Sequence, residues 1–307
     1  MGERARGCEP AYNPPPNPLP QPLKLFIGPG KSEPFGSAFP GPHKGLGGGS
    51  GGRAGTCGPW PSPQYAIINP KKGKREAPVP ERVVLTFNRP DYNCVCGLLQ
   101  APGPPRDLWD CNVQEGTWEG RAVAVAGPAL GAPYAVLVME KLIALGARVV
   151  LALGWCGSLA PVVKIANLVA PDRALSTEGT SPHYPLPPGP AGPHAALFRL
   201  ITTRLPGAGV PWHVGPVWTT DAPYRETAEQ VRHFQARGAL GVDMEMSALF
   251  NVGRFRGIPV AGLLVVSDDL FDLNWRPGYR RDEFKQARDQ AARLVLKAAA
   301  AWEAADD

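Results

Sequence analysis

The sequence predicts an α/β fold with a buried, largely parallel sheet, and three observations predict it. Residues 120–153 read as strand, Gly-rich turn, helix, glycine stop and apolar strand, which is a βαβ unit. Apolar runs of strand length recur at 166–170, 213–218 and 260–266, with helix-length segments at 225–236, 244–255 and 282–305. The run 260–266 leads directly into Ser267-Asp268-Asp269, so polar groups stand at the end of an apolar strand, where α/β domains bind ligands.

Taken in order, the chain opens with a segment that cannot support periodic structure. Asn13-Pro14-Pro15-Pro16 and the Gly-rich run 45–52 mark 1–62 as a Pro/Gly-rich disordered tail, interrupted by a short apolar island at 23–27. The glycine run has no strand before it and no helix after it, so it is not expected to cradle a phosphate. The domain is expected over 63–307. Its first strand is 82–87 (Arg-Val-Val-Leu-Thr-Phe) and its second is 120–126, ending in Gly127-Pro128-Ala129-Leu130-Gly131-Ala132-Pro133. A helix over 133–145 presents Ala135, Val138, Met139, Leu142 and Ile143 on one face, and Gly146 stops it. Strand 149–153 completes the unit. Pro259 precedes 260–266 at a strand start, where a missing N–H is tolerated.

The 307 residues suit one large domain with a tail, and 44% hydrophobic content is enough for a sizeable core. The formal net charge of +5 is mild, and no Lys/Arg run is interleaved with aromatics, so a nucleic-acid partner is not expected. The six cysteines show no paired C-x-x-C spacing with histidines, so no metal site is expected; Cys94 and Cys96 read as buried free thiols on an apolar segment. No apolar leader core and no membrane-length apolar run is present, which points to a cytoplasmic protein.

The richest stretch is Gly241-Val242-Asp243-Met244-Glu245-Met246, with acidic residues at the start of an apolar helix, followed by Val265-Val266-Ser267-Asp268. Two carboxylates delivered to strand ends and helix N-termini from adjacent elements suit a polyol ligand and an acid. Together with Gly131-Ala132-Pro133, with Leu153-Gly154-Trp155-Cys156-Gly157-Ser158-Leu159, and with Gly179-Thr180-Ser181-Pro182-His183-Tyr184, these motifs resemble the nucleoside phosphorylase and nucleosidase superfamily. The resemblance covers half of the chain closely and most of the folded part loosely. It implies a three-layer α/β domain with a central mixed, largely parallel twisted sheet flanked by helices.

The same resemblance implies an enzyme that cleaves the N-glycosidic bond of a purine nucleoside. Glu245 resembles the glutamate that holds the ribose hydroxyls, and Met244 would pack beneath the sugar, with Asp243 beside them. Asp268 resembles the aspartate that protonates the purine at N7, steadied by Ser267; uridine phosphorylases lack it. A carboxylic acid doing this at neutral pH needs a raised pKa, which partial burial supplies. Each has a plainer alternative: Glu245 as a carboxylate favouring a helix dipole, Asp268 as an N-cap. Tyr224 would stack on the base or belong to a rim, and Arg276 would reach a base carbonyl or remain a solvated loop arginine. Gly154 and Trp155 fall where relatives bind substrate.

The departures concern phosphate. Hexameric relatives carry an arginine where this chain has Ala152, and their early Gly-Asp-Pro-x-x-Arg loop is replaced by Asn88-Arg89-Pro90-Asp91-Tyr92. Losing guanidinium clamps weakens phosphate binding. Arg89 and Gly131 are candidates for phosphate, Asp91 for activating water, and Trp155 for filling the phosphate space. Three readings therefore stand: a phosphorylase, a phosphate-independent nucleosidase, and a non-catalytic nucleoside or nucleotide binder of the storage type. None calls for a metal or organic cofactor; phosphate is the possible co-substrate. A homo-oligomer is expected, with Trp218 and Phe250 as candidate contacts, and no membrane partner.

Overall fold

A computed structural model describes residues 66–184 and 191–303. The tail expected over 1–62 and the last two residues of the helix expected over 282–305 lie outside the described residues. The elements run β1 (Arg82–Thr86), α1 (Arg89–Leu98), β2 (Arg106–Leu108), β3 (Cys111–Trp118), β4 (Arg121–Gly127), α2 (Ala132–Ala144), β5 (Val149–Ser158), β6 (Leu168–Ser176), α3 (Ala195–Thr202), β7 (Trp212–Thr219), α4 (Ala228–Gln235), β8 (Gly241–Asp243), α5 (Met246–Arg256), β9 (Val260–Asp269), β10 (Arg276–Pro277) and α6 (Asp282–Ala300).

One mixed sheet has the order β10-β9-β6-β7-β8-β5-β1-β4-β3-β2, and a further pairing joins β9 to β5. That pairing closes β5, β9, β6, β7 and β8 into a ring. The pairs β1–β4, β1–β5, β5–β9, β6–β7 and β7–β8 are parallel; β2–β3–β4, β5–β8, β6–β9 and β9–β10 are antiparallel. The parallel strands are apolar on both faces because helices cover both. On one side α2 and α5 pack Met139, Leu142, Leu249 and Phe250 against Val83, Leu85 and Val150. On the other, α1, α3 and α6 pack Val95, Leu197, Phe284 and Val295 against Val84, Leu151 and Leu263. The three-layer α/β expectation is met. The expected face of α2 is correct too: Ala135, Val138, Met139 and Leu142 are fully buried.

Several boundaries differ from expectation. Strand 149–153 continues to Ser158, because Gly154–Ser158 pairs with β9 rather than turning. The strand expected at 166–170 begins at Leu168 and runs to Ser176. Gly241–Asp243 is a strand, so the expected helix 244–255 starts at Met246. The expected helix 225–236 is a single 3₁₀ turn, Pro223–Arg225, followed by α4, whose Thr227–Gln230 capping box fixes its start. Cys94 and Cys96 lie on α1, a helix the sequence reading did not assign, and are half-buried rather than buried. Trp218 and Phe250 are core residues, not contacts for a second copy: Trp218 stacks on Phe234 with ring centroids 4.4 Å apart, and both are essentially inaccessible.

Candidate active site

The site is assembled around Gly157. On β5 this residue registers with Val242 of β8 on one side and with Asp268 of β9 on the other. Two motifs far apart in sequence therefore meet across a single residue. The β5–β9 register shifts between Cys156 and Gly157, leaving Ser267 as the extra residue of a bulge. Bulges re-aim side chains, and this one presents Ser267 and Asp268 to the cavity beside them. A Cβ at Gly157 would stand 2.6 Å from Leu270 Cδ2 and 3.0 Å from Asp268 Oδ2, so a side chain here would displace the aspartate.

The start of α5 is set by Asp243. Its Oδ2 accepts the backbone N–H groups of Glu245 (2.8 Å) and Met246 (2.6 Å), and its Oδ1 accepts the Thr219 hydroxyl at 2.7 Å. Asp243 is thus a buried cap whose hydrogen-bonding capacity is spent on the protein. Burial pushes it up to about 6 against those three bonds. The sequence reading grouped it with the substrate-binding residues; it lines the cavity, yet its work is to orient Met244 and Glu245.

Glu245 is 3% exposed, and its Oε1 accepts the Gly131 N–H at 2.7 Å at the start of α2. Burial pushes it up to about 8, the neighbouring Asp243 charge adding to the effect and the N–H bonds opposing it. Gly131 consequently spends its N–H on Glu245 rather than on a phosphate. Asp268 accepts the Ser267 hydroxyl (2.6 Å) on Oδ1 and the Trp275 indole N–H (2.9 Å) on Oδ2. Burial holds its carboxyl above the ordinary aspartate value even though both bonds favour the charge.

Glu245, Asp268, Met244, Ser267, Tyr224 and Trp155 all line one cavity of about 660 Å³. Trp155 forms part of the wall rather than a plug. Its ring stacks on Tyr279 at 6.0 Å and meets Phe284 edge-on at 5.0 Å, and its Nε1 donates to Asp91 Oδ1 at 2.9 Å. Tyr224 is fully exposed at the mouth, free of core packing and able to lie against a planar ligand.

Five expected site residues do not line the cavity, Gly131 among them, its N–H held by Glu245. At Gly154 a Cβ would come within 2.5 Å of the Phe87 ring, so this glycine serves close packing and not substrate. Arg89 donates to Asn112 Oδ1 at 2.8 Å and lies over the Tyr92 ring, pointing to the β3 edge. Asp91 is fully buried in the first turn of α1; its oxygens accept from Trp155 Nε1 and, at 2.9 Å, from Asn88 Nδ2, so it anchors the indole and has no opening to water. Arg276 pairs with Asp272 and, at 3.8 Å, with Asp269, as a loop arginine would.

One residue was missed. Glu226 lines the cavity, and burial together with the Asp268 charge pushes it up to about 7. No local signal marks it: the T-x-x-Q box of Thr227 and Gln230 fixes the start of α4 and leaves Glu226 just outside it, where a solvated glutamate would also stand. Among the described residues no cluster of His, Cys, Asp or Glu could hold a metal ion, and no helix is long and apolar enough to cross a membrane.

The arrangement is that of an α/β protein in which a buried Glu245 and a half-buried Asp268, both of raised pKa, line one cavity beside Gly157. Residues 104–301 match the model of the phosphorylase superfamily. The chain is 26% identical over 180 residues to a guanosine phosphorylase of Halorubrum lacusprofundi, covering 58% of this chain and 75% of that one. It is 29% identical over 164 residues to a DeoD-type purine nucleoside phosphorylase of Bacillus cereus, covering 51% and 67%. A crystal structure of uridine phosphorylase from Vibrio fischeri superposes with a TM-score of 0.65 at 27% identity, over 72% of this chain and 92% of that one. The chain belongs to the phosphorylase superfamily.

Proposed function

We propose that this chain is a nucleoside phosphorylase-like enzyme that cleaves the N-glycosidic bond of a purine nucleoside. The observation that carries the reading is that Glu245 and Asp268 line the same cavity although they come from different elements. Bond cleavage leaves positive charge on the sugar and negative charge on the base. Glu245 in its ionised form, which burial disfavours below about pH 8, accepts hydrogen bonds from the ribose hydroxyls, and Met244 packs beneath the ring. Asp268, protonated, gives its proton to N7 of the departing base, while Ser267 and Trp275 keep its carboxyl aimed. Tyr224 lies against the purine. The two carboxyls need opposite protonation states, so turnover is expected to have a bell-shaped pH profile.

The co-substrate is phosphate in the first reading and water in the second. The second is favoured by one observation: among the described residues no Lys, Arg or His lines the cavity, and Arg89 is bonded to Asn112 instead. A cation from a second copy would restore the first, and a homo-oligomer is part of that reading. The chemistry as proposed draws on no metal or organic cofactor, and the setting proposed is the cytoplasm. The test is to incubate purine and pyrimidine nucleosides with the protein, with and without phosphate, and to follow free base by chromatography. Release that requires phosphate selects phosphorolysis. Release without it selects hydrolysis. No release from any nucleoside overturns the enzyme reading and leaves a nucleoside binder.

A further inference from the structure

The proposed chemistry makes no use of Asp91, a fully buried carboxyl behind the cavity wall. Its two oxygens hold two residues of that wall: Oδ1 accepts the Trp155 indole N–H and Oδ2 accepts Asn88 Nδ2, each at 2.9 Å. The β1–β5 register ends with Thr86 opposite Leu153, so Asn88 and Trp155 stand two residues beyond the last paired positions. Asp91 spans the gap where the ladder no longer ties these strand ends together. Burial pushes its carboxyl up to about 6, while both bonds and the Arg288 charge favour the ionised form. A buried charge is expensive. The cap of α1 does not require it, because Asn88 makes that cap by accepting the Asp91 N–H at 2.8 Å. What requires two buried acceptors is holding an indole and an amide at once.

We infer that Asp91 is a positioning residue: it fixes Trp155 and Asn88 as one rigid wall against which the sugar of the nucleoside sits. The inference rests on the nucleoside reading of the site. The wall belongs to the Glu245 end of the cavity. Ala129 N–H donates to Thr86 O at 3.0 Å, beside Phe87 and Asn88, and two residues further on Gly131 N–H donates to Glu245. Leu130, between them, lines the cavity with Phe87, Asn88 and Trp155. The groups set against the base, Tyr224 and the Trp275 that bonds Asp268, come instead from the loops after β7 and β9. Tyr279 and Phe284 restrain the Trp155 ring by packing, and the Asp91 bond is the one hydrogen bond an indole N–H can make. Without Asp91 that N–H is left unpaired in the wall. A displacement of about 1 Å is enough to spoil the orientation of a bound substrate.

The test compares, by calorimetry on the full chain, binding of 9-deazainosine, whose C–C bond to the sugar is not cleaved, with binding of free hypoxanthine. Wild type, Asp91→Asn, Asp91→Ala, Trp155→Phe and the double variant Asp91→Ala/Trp155→Phe are measured, with thermal melts confirming that each folds. Asp91→Ala and Trp155→Phe, which keeps an aromatic ring but has no N–H, are each expected to weaken the nucleoside analogue about tenfold, the scale of one charge-assisted hydrogen bond, and hypoxanthine less than about threefold. The double variant should fall no more than about threefold below either single one, because Asp91 acts through the indole. Asp91→Asn, whose side-chain carbonyl still accepts the indole N–H, should stay within about threefold of wild type. A lowered melting temperature with unchanged affinity for the analogue, equal weakening of analogue and hypoxanthine, additive losses in the double variant, or Asp91→Asn as weak as Asp91→Ala overturns the inference. No binding of the analogue by wild type overturns it together with the nucleoside reading. The expected pattern in a protein that releases no base from any nucleoside sustains it and breaks the enzyme reading instead.

Discussion

Glu178 and Glu245 are equally buried, each 3% exposed, yet their environments set them opposite ways. Glu178, in the loop after β6, accepts from the Ser176 and Ser247 hydroxyls and from the backbone N–H groups of Thr180 and Ser181, at 2.6–2.9 Å. Those bonds hold its carboxyl below the ordinary glutamate value despite burial. Glu245, two residues before Ser247, accepts the Gly131 N–H on Oε1, faces a cavity and is pushed up to about 8. Burial by itself does not mark a functional carboxyl. What marks it is burial with capacity left over, because a fully satisfied carboxylate has nothing to offer a ligand.

The largest effect that sharpens this comparison is at the cavity's other carboxyl. Asp268→Asn cannot deliver a proton, and base release from purine nucleosides is expected to fall about 10²–10⁴-fold in kcat, with the melting temperature little changed. Turnover near wild type would sink the acid assignment. Next comes Glu178→Ala, which strands four donors and should cost about 3 kcal/mol of stability in a urea titration. Activity would fall only in step with the folded fraction. A stable but inactive Glu178→Ala would erase the distinction between the two glutamates.

Glu245→Gln is expected to raise KM about 10–100-fold, the worth of a charge-assisted hydrogen bond to the ribose, without loss of stability. Its pH behaviour follows from linkage. The folded state holds a proton on Glu245 up to about pH 8, whereas an unfolded glutamate loses it near pH 4. That stabilisation is complete below the unfolded value and is lost as pH rises through about 8. Asp91 and Asp243, at about 6, and Glu226, at about 7, act in the same direction. Glu178, lowered, acts oppositely, its contribution present at neutral pH and lost toward acid. The melting temperature should therefore decline from pH 5 to 8.5, and decline less in Glu245→Gln. A flat profile shared by both proteins would contradict the raised value.

Smaller still is Trp275→Phe, which removes the indole donor from Asp268. That bond favours the charged form, so its loss raises the Asp268 pKa and moves the limb of kcat/KM that Asp268 sets to higher pH, with a rate loss of about threefold to tenfold. The smallest effect is expected for Arg89→Ala. With its guanidinium on Asn112, turnover and phosphate dependence should change by less than about twofold, the scale of a surface contact. A large loss of phosphate dependence would show that the arginine swings into the cavity.

The motifs were legible because they obey local rules. An apolar strand that ends in Ser267-Asp268 and the short run Asp243-Met244-Glu245 both announce ligand-facing ends. Glu226 was not legible, because nothing local distinguishes a glutamate beside a helix cap from a solvated one. Arg89 and Asp91 were misplaced for a related reason. They were assigned by position after a strand, while the first turn of α1 sends Asp91 back to Asn88 and Trp155 and sends Arg89 out to β3.

By itself the sequence determined the βαβ core, the apolar face of α2, the family resemblance and the choice of Glu245 and Asp268 as candidate ligand-facing carboxyls, because periodicity and strand-end chemistry are properties of neighbouring residues. Only the tertiary structure decided that β9 pairs with β5 and bulges at Ser267, that Gly157 brings Val242 and Asp268 to one place, that Asp243 is a cap and that Glu226 faces the cavity. Those outcomes depend on contacts between residues 85 to 111 positions apart, as between Gly157 and Val242 or Gly157 and Asp268. Strand register and leftover hydrogen-bonding capacity are set there by packing, not by local propensity.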